Sequence, residues 1–142
     1  MTEQALDALM LTLFTLISAV GGYDMPDHYP TVSQMPRVEI AMRICGRDCR
    51  VHAAYFSESG VRIDETLDLQ RDPFGQSVLV HELVHFLQDA NRTFAAKAPC
   101  KRQNEREREA YWIQDQYLQR IGHGGMTGVH YSNRLWPRCF DE

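Results

Sequence analysis

Two histidines four residues apart, with a glutamate directly after the first, stand in the run Ser77-Val-Leu-Val-His81-Glu82-Leu83-Val84-His85-Phe86-Leu87-Gln88. On a helix, residues four apart lie on one face, one turn apart, so the two imidazoles can grip one metal ion. Glu82 lies about 100° further round the helix, where its carboxylate reaches a water on that metal rather than the metal itself. Two neutral imidazoles suit zinc, and an open coordination position makes zinc a catalyst. The metal lowers the pKa of its water, and the neighbouring carboxylate takes the proton as the water attacks a carbonyl. For this histidine and glutamate content, chance gives about 0.02 such matches in the chain. The surrounding Val78, Leu79, Val80, Leu83, Val84, Phe86 and Leu87 make the predicted helix almost wholly apolar, hence buried. Ionisable groups in such a helix are costly unless paired or metal-bound; the competing reading is a pair of core histidines hydrogen-bonded to backbone.

Catalytic zinc normally takes three protein ligands. Downstream, Glu105-Arg106-Glu107-Arg108-Glu109 opens a second helical pattern, whose apolar face is set by Ala110, Ile113, Tyr117, Leu118 and Ile121. At 100° per residue Glu107 falls within that face, while Glu105 and Glu109 point away with Trp112 and Gln119. A carboxylate on a buried face needs a cation, so Glu107 is the predicted third ligand. Glu105 and Glu109 read as members of a solvated charge run. Ala110 is small enough to let the two helices approach closely. Donors for an oxyanion are sought among His123, His130, Tyr131 and Tyr111. His28 and His52 read as structural or exposed, and Tyr55-Phe56 as core.

The elements that must position these groups follow from pattern and punctuation. Residues 3–20 predict a mostly buried first helix, stopped by Gly21-Gly22. The interval from Tyr23 to Pro36, with Pro26, Pro30 and Pro36, predicts an extended surface connection. Alternation predicts strands over Arg37–Ile44, Val51–Ser57 and Val61–Leu67, paired antiparallel through short links. Asp72-Pro73 suits the start of the metal helix, although Gly75 weakens that start and leaves Ser77 as an alternative. The helix is expected to stop near residues 89–91. A loop over residues 92–101 leads to a helix over Gln103–Ile121, and an irregular tail follows from Gly122, tied down by Cys139 and Trp136.

The chain has 142 residues, 44% of them hydrophobic, which fits one domain over 1–142. The net charge of −4 gives no footprint for nucleic acid and disfavours anionic membranes. The apolar stretch from Leu9 to Val20 follows Glu3 and Asp7, unlike a signal peptide, and is too short and interrupted for a membrane span. Of the three pairings four cysteines allow, Cys45–Cys49 with Cys100–Cys139 is preferred. It implies an oxidising compartment, periplasmic or secreted.

His81-Glu82-Leu83-Val84-His85, followed by Glu107-Arg108-Glu109-Ala110-Tyr111 on a later helix, resembles the zincin metallopeptidases of the glutamate-ligand type, the gluzincins. The Val-Leu-Val-His-Glu-Leu-Val-His core is most similar to a group of small bacterial proteins. The resemblance implies an α+β fold, a minimal zincin-like domain whose small antiparallel sheet accompanies the His-Glu helix and a glutamate-ligand helix. It implies Zn²⁺ held by His81, His85 and Glu107, Glu82 as general base, hydrolysis of a peptide or protein substrate, and an edge strand that binds that substrate extended. Many gluzincins carry Asp four residues after the ligand Glu; here Tyr111 occupies that place. The rival expectation is a zincin scaffold that binds a peptide without turnover. A purely structural zinc domain would need a fourth protein ligand.

Overall fold

The computed structural model describes residues 1–124 and 137–140. In order, the elements are α1 (Glu3–Gly21), β1 (Val32–Met35), α2 (Arg37–Cys45), β2 (Ala53–Phe56), β3 (Gly60–Asp64), α3 (Pro73–Asn91) and α4 (Pro99–Arg120). The class is α+β, with a three-stranded mixed sheet in the order β1-β3-β2.

Helix α3 is the centre of the molecule. Every residue from Ser77 to Gln88 is buried, as an all-round apolar helix requires. It packs against α4, α1 and the strands β2 and β3. Leu79, Val80, Leu83 and Val84 are completely buried; each contributes about 1.5–3 kcal/mol relative to exposure. The helix starts at Pro73 rather than Ser77. The Asp72 carboxylate accepts from the Phe74 N–H at 2.9 Å, and Pro73 occupies the first turn. Gly75 is a packing glycine, since a Cβ there would stand 3.2 Å from Leu67 Cβ. Asn91 ends the helix, and Arg92 caps it in the left-handed conformation.

Helix α1 begins at Thr2, whose hydroxyl accepts from the Ala5 N–H, and ends at Gly22 with φ 77°. It is long and apolar enough to cross a membrane. Here it buries one stripe, Met10, Leu13, Phe14 and Ile17, in the same core as α3 and α4. The expectation of a mostly buried helix is therefore too broad; Leu11, for example, is exposed.

Two strand expectations fail together. Residues 37–45 are helix α2, not a strand. Alternating Val38, Ile40, Met42 and Ile44 also satisfies two helical pairs four apart, Val38 with Met42 and Ile40 with Ile44. Over eight residues the two periods are indistinguishable. Gly46 at φ 69° ends the helix, and the Cys45–Cys49 disulfide closes the following turn. The third strand comes instead from the proline-rich connection. Val32–Met35 pairs parallel with β3, Val32 opposite Val61 and Met35 opposite Asp64. The sheet is thus mixed rather than antiparallel, because α2 and β2 intervene between β1 and its partner. The antiparallel β2–β3 pair matches the sequence reading, with Ala53 opposite Ile63 and Phe56 opposite Gly60. Gly60, at φ +89°, admits no side chain: a Cβ would stand 2.3 Å from the Thr31 carbonyl oxygen.

Helix α4 starts at Pro99, four residues earlier than expected. Its second residue, Cys100, is bonded to Cys139, and Asn104 Nδ2 donates to the Pro137 carbonyl at 2.8 Å. Residues 137–139 are so tied to the start of α4, the helix that carries Glu107. Trp136 lies outside the described residues.

Candidate metal centre

The positions predicted from spacing converge. One ligand atom each from His81, His85 and Glu107 lie within 4.8 Å of one another, a group that could hold a metal ion. The two imidazole Nε2 atoms are 3.2 Å apart. Glu107 sets Oε2 at 3.2 Å from His81 Nε2 and Oε1 at 2.9 Å from His85 Nε2. Among the described residues no fourth His, Cys, Asp or Glu joins the group. The helical phase of Glu107 is as the apolar face of α4 requires. Ala110, completely buried one turn on, leaves room for α3 and α4 to meet.

The polar partners of the imidazoles are two glutamines. His81 Nδ1 faces Gln114 Oε1 at 3.1 Å, and His85 Nδ1 faces Gln88 Oε1 at 2.8 Å. Each amide has its orientation forced. Gln88 Nε2 donates to the Arg106 carbonyl and to Glu109 Oε1, both at 3.0 Å, and neither can donate back. Gln114 Nε2 donates at 3.2 Å to Ser77 Oγ, whose own hydrogen goes to the Phe74 carbonyl at 2.7 Å. Both glutamine oxygens therefore accept from Nδ1–H, so it is Nε2 of each ring that faces the common point and Glu107, and the nitrogen that a metal would take in place of the proton shared with that carboxylate. Gln88 is completely buried and Gln114 nearly so. The sequence reading missed both glutamines. Their signal was there: Gln88 follows His85 by three, and Gln114 follows Glu107 by seven, each on the ligand's own face.

The charges are coupled. Burial opposes ionisation of Glu107, but hydrogen bonds from His81 and His85 and their positive charge outweigh it, holding its carboxyl well below the usual range. Burial pushes the His85 imidazole down; its hydrogen bond to Glu107 and the charges of Glu82 and Glu107 overcome this and raise it. Glu82 is buried beside the group without belonging to it.

The site opens into a cleft of about 360 Å³ between the metal-side face of α3, α4 and strand β2. Glu82, Tyr55, Arg106 and Tyr111 share its wall with His81, His85 and Glu107. Among the described residues strand β2 pairs with β3 on one side only, and its Ala53, Ala54 and Tyr55 line the cleft. Tyr55 is thus a cleft residue, packed on Phe86 at 6.0 Å between ring centroids. Phe56 lies outside the core under the Arg43 guanidinium. Tyr55 packs against the core as expected while also lining the cleft, whereas Phe56 departs from the core reading because β2 is the edge strand of the described sheet.

Of the candidate oxyanion donors, Tyr111 lies against the His81 ring, centroids 4.4 Å apart. His123 is exposed past the end of α4, whose last residue Arg120 is roughly 20 Å along the helix from Glu107; it is not in the site. His130 and Tyr131 lie outside the described residues. His28 and His52 are exposed, edge-on to Phe86 and Phe74. Glu109 departs from the expected solvated run: it is half-buried and accepts from Tyr23 and Gln88. Helix α4 touches both α3 and α1, so its covered arc is wider than one apolar stripe. Ile121, placed on that stripe by the sequence, is exposed beyond the helix end.

Compared with family models, curated proteins and solved structures, the chain matches none of them. The functional reading therefore rests on the site itself.

Proposed function

We propose that the protein is a zinc-dependent metallopeptidase of gluzincin type, with His81, His85 and Glu107 as ligands and Glu82 as general base. The observation that carries this is the 3.2 Å separation of two Nε2 atoms that converge on one carboxylate. Ligands at 2.0–2.1 Å on the corners of a tetrahedron stand about 3.3 Å apart, the spacing tetrahedral zinc needs. The N,N,O donor set suits zinc, and three ligands leave one corner open. Zinc held there would polarise the scissile carbonyl and lower the pKa of a water to about 7.

The chain's own groups supply the rest. Glu82 takes the proton from the attacking water and delivers it to the leaving amine. Its burial next to the ligands keeps it out of bulk water, where that transfer would be undirected. The edge of β2 that is unpaired among the described residues offers backbone N–H and C=O groups to an extended peptide lying across the cleft. Tyr111, beside His81, is the described side chain best placed to donate to the developing oxyanion. The two disulfides are compatible with an oxidising compartment, and a periplasmic or secreted location is part of this reading.

A second reading, a non-catalytic peptide-binding module on the same scaffold, draws on the same β2 edge. The buried Glu82 favours hydrolysis, because zinc binding alone needs no base. Cleavage of casein and of a peptide library, with and without chelator, separates the two. Glu82→Gln is expected to keep zinc and to lower kcat by about 10²–10⁴-fold. Turnover that survives Glu82→Gln rejects the mechanism; bound but uncleaved peptides favour the module.

A further inference from the structure

Glu109 is the second buried-side glutamate of α4, and the proposed chemistry leaves it unused. It is two residues past the ligand Glu107 and takes no part in the ligand group. Its Oε1 accepts from the Tyr23 hydroxyl and, at 3.0 Å, from Gln88 Nε2. Gln88 Oε1 in turn faces His85 Nδ1 at 2.8 Å. A continuous line of hydrogen bonds so runs from the segment after α1, through α4, to one imidazole of the metal group. Tyr23 is held in place at its other end, where its carbonyl accepts from the Ser18 hydroxyl at 2.5 Å.

We infer that Glu109, pinned by Tyr23, is a positioning residue that fixes the Gln88 amide and thereby sets the His85 tautomer in which Nε2 is free to bind metal. This rests on the metal reading above. The physical reason is the symmetry of a carboxamide. Turned by half a rotation, Gln88 would present NH₂ to His85 Nδ1, which would then have to be the bare nitrogen, leaving the hydrogen on Nε2 where the metal belongs. Two acceptor-only groups, the Arg106 carbonyl and the Glu109 carboxylate, make the flipped state unfavourable by pointing an oxygen at oxygens. Both Glu109 bonds use the same oxygen, so an amide at position 109 can make them equally well. Orientation, not the negative charge, is what Glu109 supplies. The other imidazole is treated differently: Gln114 is held by the Ser77 hydroxyl, which donates in turn to the Phe74 carbonyl.

Four single variants and one double variant test this by zinc affinity, measured against a competing chelator, and by the ¹⁵N-edited NMR signal of His85 Nδ1–H in the zinc-loaded protein. Glu109→Leu is expected to lose about 10–100-fold in zinc affinity, with the Nδ1–H signal lost or exchanging fast. Glu109→Gln keeps both. Gln88→Leu loses as much as Glu109→Leu, and the double variant loses no more than Gln88→Leu alone, because the two act as one unit. Tyr23→Phe gives the same change at smaller amplitude and carries the test should Glu109→Leu not fold. In the metal-free protein, the Gln88 carboxamide protons exchange slowly in wild type and fast in Glu109→Leu. Wild-type zinc affinity in Glu109→Leu or Tyr23→Phe, additive losses in the double variant, or a loss in Glu109→Gln equal to that in Glu109→Leu overturns the inference and leaves the metal reading standing. A wild type that takes no zinc while its Gln88 protons stay protected overturns the metal reading instead.

Discussion

The ligand role proposed for Glu107 can be read as a temperature. Anything that binds the folded chain and not the unfolded one stabilises it by RT ln(1 + [L]/Kd), about 4.1 kcal/mol at a free ligand concentration of 1,000 Kd. A chain of 142 residues unfolds with an entropy of roughly 0.3 kcal/mol per degree near its midpoint. Saturating zinc should therefore raise Tm by about 14 °C over the chelated protein. Glu107→Ala acts twice. In the chelated protein it removes the carboxylate 3.2 Å and 2.9 Å from the two imidazoles. Charged hydrogen bonds of this kind are worth about 1.5–3 kcal/mol, so Tm falls by about 5–10 °C. With zinc it leaves two ligands of three, and the zinc-induced rise should shrink to a degree or two. The decisive quantity is the difference between each variant's own loaded and chelated Tm, which cancels the first effect. Glu105→Ala is expected to keep the full rise. Scanning calorimetry at fixed free zinc gives the numbers. A Glu107→Ala protein that retains most of the 14 °C rise would refute both the ligand assignment and the helical-phase argument behind it.

Two further outcomes follow from the same coordinates. In the metal-free protein the Glu107–His85 pair contributes within a pH window. Glu107 is depressed from its ordinary 4.5, so its share is present above that value and is lost as pH falls through its lower folded value. His85 is raised from 6.5, so its share is complete below 6.5 and lost as pH rises through its folded value. Urea unfolding of the chelated protein across pH should show this contribution at its largest between 4.5 and 6.5, and Glu107→Gln should flatten it; an unchanged profile would mean the pair does not form. The disulfides should differ in weight, since the closed loops span 4 and 39 residues. Chain entropy gives about 2 kcal/mol for Cys45–Cys49 and about 4 kcal/mol for Cys100–Cys139, so the double serine replacement of the second pair should cost more in denaturant midpoint. The reverse order would show that Cys139 does not restrain the unfolded chain in this way.

Much of the metal group was legible because helical periodicity is local. The i, i+4 histidines and the face of α4 that carries Glu107 need only 100° per residue to be placed. The start of α3 was local only in part: Asp72 and Pro73 mark it, but Gly75 left Ser77 as an alternative until its packing against Leu67 was known. Strand assignment failed where the pattern was too short to choose a period, in Val38 to Ile44, and where a strand is made by its partner rather than its own residues, in Val32 to Met35. The parallel pairing of β1 with β3 brings together segments nearly thirty residues apart, and no local rule selects it.

By itself, the sequence determined which side chains could bind a metal and on which face of which helix they stand. The tertiary structure decided which face the neighbouring glutamate shares. Glu109 reads as surface on α4 alone and becomes half-buried because α1 ends beside it and brings Tyr23 to its carboxylate. The two glutamines were likewise ordinary polar residues until packing removed water from them and left each with one way to satisfy its amide. Periodicity can be computed along a chain, whereas hydrogen-bond satisfaction depends on what the fold excludes and what it brings near.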